Sequence, residues 1–281
     1  MHCRFCPCGQ KRKTVMKGTI MLFDAHAHYD DEKFDGIREN ILGSIRDMGV
    51  GKIVNAGASL DGSYKSRELA HKYDFMFFTA GVHPESAADD TKDGEWMYKI
   101  QQLCRDEKCV GVGEIGLDYY WEKETAPIQQ MCFETQLTLS EELGLPAIVH
   151  DREAHGDCLD MIKKHPGARG LFHCFSGSVE MMRELIFRGW YISVGGVVTF
   201  KNARKTVEVI EALKDIPEGK SRLLLETDCP YLAPVPHRGE LNHSGLMNHT
   251  AAKVAELLGM TQSEVEELTY DNAIRFYAIK E

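Results

Sequence analysis

A TIM-type (β/α)8 barrel, of the α/β class, is the fold this sequence predicts, and three observations predict it. Eight short apolar runs alternate with amphipathic stretches of helical spacing, the pattern of parallel strands joined by right-handed crossovers. The 281 residues are 43% hydrophobic and 27% charged, ordinary for a globular chain and near the ~250 residues over which such a barrel makes one domain. His and carboxylate residues recur just after the strand-like runs, and a barrel gathers those strand ends on one rim.

The first run leads into Leu22-Phe23-Asp24-Ala25-His26-Ala27-His28-Tyr29-Asp30. Side chains two apart on a strand point the same way, so His-x-His presents two imidazoles together. Two neutral imidazoles at a strand end can bind one divalent metal, and Asp24 and Asp30 are carboxylates able to orient such ligands. An ordinary surface pair of histidines is the alternative for this stretch alone. Residues 34–48 follow with Ile37, Ile41, Leu42 and Ile45 at helical spacing, and Gly49 stands where a C-terminal cap is wanted.

Further strands are expected at 52–56, 75–82, 110–114, 147–150, 171–173, 190–194 and 223–226. Helices are expected between them at 63–73, 94–106, 129–143, 155–164, 179–188 and 203–214, then at 245–258 and 262–277. Thr261 and Glu264 have the spacing of a capping box before the last one. Neither a repeat nor a Pro- or Gly-rich linker divides the chain, so residues 21–281 are read as one barrel domain.

Residues 1–20 differ in character. His2, Cys3, Cys6 and Cys8 precede Lys11-Arg12-Lys13 and could form a small zinc-binding tail that touches nucleic acid. The plainer expectation is a disordered extension, or an upstream start with Met21 as the usual first residue, because so short a segment has almost no core. Its five cations meet no acid, so the net charge of −10 becomes −15 over the remainder. A body of that charge repels nucleic acid unless metals and a local basic patch counter the field. The other six cysteines are scattered through apparent helices and strands, which points to reduced core residues. With no apolar run of transmembrane length and no secretory h-region, a cytoplasmic protein is expected.

The chemistry gathers at the strand ends: His26 and His28 after the first strand, His83 after the third, Glu114 after the fourth, His150 after the fifth, His173 after the sixth and Asp228 after the eighth. Each has a humble explanation as a surface His or a helix-capping acid, but residues at so many successive ends share none. Four of these histidines and two carboxylates exceed what one open metal site needs, whereas two metals sharing a bridging carboxylate would use them all. Such a centre lowers the pKa of a bridging water and polarises a carbonyl or phosphoryl oxygen. Asp228, beside that water, is the general-base candidate.

His26-x-His28, Gly81-Val82-His83-Pro84, Gly113-Glu114-Ile115-Gly116-Leu117-Asp118-Tyr119, His150-Asp151-Arg152-Glu153-Ala154, Phe172-His173-Cys174-Phe175-Ser176-Gly177 and Glu226-Thr227-Asp228-x-Pro230-Tyr231-Leu232-Ala233-Pro234 together resemble the signatures of the TatD family of metal-dependent deoxyribonucleases, in the amidohydrolase superfamily. The resemblance runs from about Met21 to the C-terminus. It implies a barrel with one metal at His26, His28 and Asp228, a second at His150 and His173, and Glu114 bridging them, where some relatives bridge with a modified Lys. It implies removal of nucleotides from DNA ends with Mg, Mn or Zn. By the same resemblance His83 and Arg238 would contact the scissile phosphate and Asn242 would belong to that substrate loop or support it.

The sequence departs from the family pattern after Arg238-Gly239, where Glu240-Leu241-Asn242-His243-Ser244-Gly245 replaces basic residues and Asn-Glu-Pro. An acid therefore stands beside the expected phosphate site. Lys201, Arg204 and Lys205 could form a basic rim for a nucleic-acid backbone or simply a solvated helix start. The aromatics of Asp118-Tyr119-Tyr120-Trp121 could stack bases or cover the barrel mouth. Two other functions compete with a DNA phosphodiesterase: a deacylase or small-molecule amidohydrolase using the same metals, and a noncatalytic nucleic-acid-binding protein built on the Cys-rich tail. Arg238 argues against the former, since an uncharged amide has no need of it, and the near-complete ligand set against the latter.

Overall fold

Parallel strands in strictly sequential order, β1 to β8, make up the sheet of the computed structural model, which describes residues 21–121 and 123–280. They are β1 (Leu22–Ala27), β2 (Val50–Ala56), β3 (Met76–Ala80), β4 (Cys109–Asp118), β5 (Ala147–Arg152), β6 (Gly170–Phe172), β7 (Tyr191–Val194) and β8 (Leu223–Leu225). The barrel is nearly closed just beyond β8, where Asp228 N–H donates to His26 O at 3.0 Å and His28 N–H to Cys229 O at 2.8 Å. The predicted TIM barrel is thus the observed fold. The Cys-rich segment 1–20 lies outside the described residues.

The helices are α1 (Arg38–Ser44), α2 (Leu60–Lys72), α3 (Pro84–Asp90), α4 (Trp96–Leu103), α5 (Ala126–Leu143), α6 (His155–Lys164), α7 (Val179–Phe187), α8 (Arg204–Ala212), α9 (Met247–Leu258) and α10 (Gln262–Tyr277). The stretch expected as one helix over 34–48 is broken: short 3-10 turns flank α1, and Gly36 adopts a φ of 77° between them. Gly49 does cap that stretch, at φ 87°, with its N–H donating to Arg46 O and Ile45 O. The short α3 was not foreseen; His83 caps it through Nδ1, which accepts from Glu85 N–H, and Pro84 supplies a preset first turn. The capping box of Thr261 and Glu264 is present on α10. Among the described residues no helix is long and apolar enough to cross a membrane.

Two apolar layers show which way each strand residue points. Phe23, Ala25, Val54, Phe77, Val110, Ile148, Leu171, Tyr191 and Leu224 pack in one cluster with Ala273, Phe276 and Tyr277 of α10, so they fill the lower barrel interior and α10 plugs it. Tyr277 secures the plug by donating its hydroxyl to Ala25 O at 2.7 Å. Strand neighbours of opposite parity, such as Leu22, Ile53, Val112, Val149 and Phe172, join the larger cluster beneath the helices.

Parity along β1 and β4 is interrupted by bulges, and both interruptions matter. Three steps of β1 from Asp24 to Ala27 oppose two steps of β2 from Ile53 to Asn55. Similarly, Val112 to Ile115 of β4 opposes Ala147 to Val149 of β5. An extra residue shifts every later side chain to the other face. Ala25 faces inward and Ala27 outward, which turns His26 and His28 into the barrel. Val112 and Ile115 both face outward, which leaves Glu114 inside.

Candidate metal centre

The inward residues at the top of the barrel converge on one carboxylate. Glu114 is 3% exposed, and its two oxygens face different partners. Oε2 lies 3.2 Å from His26 Nε2 and 3.3 Å from His28 Nε2. Oε1 lies 2.8 Å from His173 Nε2, 2.9 Å from His150 Nδ1 and 3.4 Å from His83 Nε2. Asp228 completes the first group, with Oδ1 3.4 Å from His28 Nε2 and 3.8 Å from His26 Nε2. It reaches them from a left-handed backbone conformation at φ 55°, one that Asp tolerates better than most residues. Its neighbour in the site, Cys174, is also left-handed, at φ 42°.

Hydrogen bonds on the far side of each ring decide which nitrogen carries a lone pair. His28 Nδ1 lies 3.0 Å from Ala56 O, an obligate acceptor, so Nδ1 carries the hydrogen and Nε2 is free for the centre. His150 Nε2 faces Asp118 Oδ2 at 3.1 Å, which frees Nδ1 in the same way. His26 Nε2 and His28 Nε2 stand 3.0 Å apart, a separation at which two lone pairs need a shared hydrogen or a shared cation. Among the described residues His26 Nδ1 is buried without a hydrogen-bond partner. This donor set suits divalent metal, which imidazole nitrogens and carboxylate oxygens ligate together. His83 is different: its Nδ1 accepts from Glu85 N–H at 3.1 Å, so Nε2 of the neutral ring is a donor and not a ligand.

The charges are strongly coupled. Burial opposes ionisation of Glu114, but His173, His83 and His26 outweigh it and hold the carboxyl well below its usual range. Asp228 is also held low, with burial opposed by His28, His173 and His26. Burial would lower His28, yet Asp228 and Glu114 raise it well above an ordinary imidazole. His173 is likewise raised, by Glu114 and Glu226 against burial. His26 is lowered by burial and by the charge of His173, and burial with His150 takes His83 down to about 3.

Six predicted ligands, His26, His28, Glu114, His150, His173 and Asp228, are therefore brought together, and His83 joins them. The remaining expectations fare differently. Asp24 does not orient an imidazole, because the β1 bulge leaves it on the opposite face from His26. It accepts instead from Thr227 N–H at 3.0 Å, Thr227 Oγ1 at 2.7 Å and Ser244 Oγ at 2.6 Å, tying β1 to the segment after β8. Burial pushes this carboxyl up to about 7 against those bonds. Asp30 accepts from Asn55 Nδ2 at 2.7 Å rather than from an imidazole.

Arg238 is exposed, with its guanidinium over the Phe200 ring at 4.2 Å. Asn242 is fully buried: Nδ2 donates to Thr227 O at 2.9 Å and Tyr231 O at 2.7 Å, and Oδ1 accepts from His243 N–H at 2.9 Å. Those bonds brace the loop and engage all its polar atoms, which is support and not substrate contact. Glu240 pairs with His237 Nδ1 at 2.9 Å. Lys201, Arg204 and Lys205 are exposed about the start of α8.

Two carboxylates were not assigned a role from sequence. Asp118 holds His150, and Glu226 accepts from Cys174 N–H at 2.7 Å and Ser193 Oγ at 2.5 Å while its Oε1 stands 3.8 Å from His173 Nδ1. The signal was present as spacing: Glu114, Gly116 and Asp118 share one face of β4, and Glu226 stands two residues before Asp228. Gly116 itself is required, because at φ 140° a Cβ there would fall 2.0 Å from His150 O. Beside the cluster opens a cleft of about 260 Å³ whose walls include His150, Arg152, His173, Cys174, Thr206 and Asp228.

The model of the family described as TatD related DNase matches residues 23–278. The uncharacterized metal-dependent hydrolase YabD of Bacillus subtilis is 40% identical over 92% of this chain and 100% of its own. The protein of Cronobacter sakazakii named 3'-5' ssDNA/RNA exonuclease TatD is 34% identical over 91% of this chain and 97% of its own. Among solved structures, the TatD homologue YJJV from Escherichia coli K12 superposes with a TM-score of 0.85 at 28% identity, over 93% of this chain and 100% of that one. The chain belongs to the TatD family and is a metal-dependent hydrolase built on a TIM barrel.

Proposed function

We propose that this protein hydrolyses phosphodiester bonds at the ends of DNA, with two divalent ions, Zn, Mg or Mn, sharing Glu114. The observation that carries the reading is the division of labour at that carboxylate: Oε2 faces His26 and His28, with Asp228 beside them, and Oε1 faces His150 and His173. Divalent ions held by these two groups would supply a water of lowered pKa and polarise the phosphoryl oxygens. The DNA substrate is favoured by the family description and by the exonuclease name of the Cronobacter relative.

The chain's own residues do the rest. Asp228 lines the cleft and is placed to accept the proton of the attacking water. His83, neutral and with Nε2–H directed toward the cluster, donates a hydrogen bond to a phosphoryl oxygen as charge builds on it. Asp118 and Ala56 hold His150 and His28 in the ligating tautomer. Arg238, on the exposed loop after β8, supplies positive charge to the phosphate chain against the local opposition of Glu240.

A panel of 3′- and 5′-labelled single- and double-stranded oligonucleotides, each with Mg, Mn or Zn, tests this, with acyl esters alongside. Metal-dependent shortening from one labelled end is expected. Intact oligonucleotides together with ester turnover would replace the nuclease by a deacylase.

A further inference from the structure

Beside the metal cluster stands an aromatic group that the hydrolytic chemistry does not use. Tyr120 and Trp121 are 52% and 59% exposed, in a chain whose other two tryptophans, Trp96 and Trp190, are 8% and 2% exposed. Their rings meet edge to face at 4.6 Å and 86°. The Arg152 guanidinium lies over both, 4.3 Å from the Tyr120 centroid and 5.4 Å from that of Trp121. Large aromatic surface left in water is costly. Rings so exposed do not act as a packed cover for the barrel mouth.

The group is also fixed in register with the cluster. Asp118 Oδ1 accepts from Tyr120 N–H and Trp121 N–H, both at 2.9 Å, while its Oδ2 faces His150 Nε2 at 3.1 Å. Tyr119 N–H donates to Arg152 O at 2.9 Å, and Tyr119 Oη donates to Asp157 Oδ2 at 2.6 Å. One carboxylate thus positions both the ring pair and a histidine of the centre. Arg152 also lines the cleft that holds His150 and His173, so the rings border the path to the cluster.

We propose that Tyr120, Trp121 and Arg152 form a base-stacking subsite that seats an unpaired nucleobase next to the phosphate being cleaved; this rests on the nuclease reading above. The chemistry favours a base. Aromatic faces and a guanidinium plane stack any base without reading its edge, which suits an enzyme that removes successive nucleotides. Stacking is also what an acidic protein can offer: with −15 net charge outside residues 1–20, counterion release gives little affinity. A base must leave its duplex partner to stack, so single-stranded ends are the preferred substrate.

The test is a thermodynamic cycle on the full-length, metal-loaded protein. It compares wild type with Trp121→Ala and Trp121→Phe on a single-stranded oligonucleotide and on the same strand with abasic residues at its two terminal positions. Trp121→Ala is expected to raise KM about tenfold on the intact strand with kcat within about twofold, the scale of one lost stacking contact. Trp121→Phe retains most of the wild-type KM, and on the abasic strand Trp121→Ala has no further effect. Fluorescence gives a readout independent of turnover: a phosphorothioate oligonucleotide should quench Trp121 in the wild type and leave Trp121→Phe emission unchanged. Equal KM values for wild type and Trp121→Ala on a strand that both cleave would overturn the subsite and leave the nuclease reading intact. Failure to cleave any oligonucleotide would overturn the nuclease reading, and absent quenching would then remove the subsite as well.

Discussion

The two ends of the barrel are lined by the same strands with opposite results. At the lower end Phe23, Val54, Val110, Ile148, Leu171, Tyr191 and Leu224 meet the aromatic end of α10; at the upper end His26, His28, Glu114, His150, His173 and Asp228 meet one another. On β5 this follows from alternation alone, since Ile148 and His150 are spaced by two, and the same spacing runs on just past β6 from Leu171 to His173 and just past β8 from Leu224 to Glu226, with Asp228 reaching in from a left-handed backbone. On β1 alternation from Phe23 would put His26 beneath the helices, whereas on β4 Glu114 keeps the inward parity of Val110 because two irregularities, one opposite Phe78 and Thr79 and one at 112–115, offset each other. The bulge at 24–27 turns His26 inward, and the one at 112–115 returns Glu114 to the interior after the outward Val112. The apolar end therefore supplies rigidity, and the two irregular strands convert part of that regular framework into a ligand-bearing surface.

The largest effect that separates the two ends is on stability. Phe276→Ala removes an aromatic side chain from the plug and should cost about 3–5 kcal/mol, read by urea denaturation. The variant that remains folded should keep kcat within about twofold, because the plug lies at the far end from the cluster. A large fall in kcat without loss of stability would show that the ends are not separable.

At the upper end the order reverses. Asp228→Asn preserves shape and removes the carboxylate; kcat should fall at least ~10²-fold, the scale of a lost general base, with little change in denaturation midpoint. Near-normal turnover by the metal-replete variant would remove Asp228 from the mechanism. A smaller effect is expected at Asp118→Asn, whose amide would face His150 Nε2 and favour the tautomer with hydrogen on Nδ1. Metal affinity should weaken by about 10–100-fold, the usual consequence of losing such a support. Calorimetric titration with Zn gives the value, and an unchanged affinity would mean that His150 is positioned by its neighbours alone.

Legibility in the sequence followed the same division. His150, His173 and Asp228 were readable because a polar residue continued the parity of an apolar run. His26, His28 and Glu114 were readable as residues at strand ends, but a bulge has no local signature in a single sequence, so the face of Asp24 was misread. The break at Gly36 and the short α3 escaped because apolar spacing carried across the first, and the second is held by a His cap and a Pro start. Asp118 and Glu226 could have been found by counting in twos from Glu114 and Asp228. The buried bonds of Asn242 could not, since they run to backbone carbonyls that only the folded loop brings near.

The most direct measurement is metal stoichiometry by elemental analysis of the full-length protein, loaded with Zn and desalted, for wild type and Glu114→Ala. A carboxylate whose two oxygens serve two sites predicts two ions per chain in the wild type and at most one in the variant. One ion per chain in both would contradict the shared-carboxylate centre.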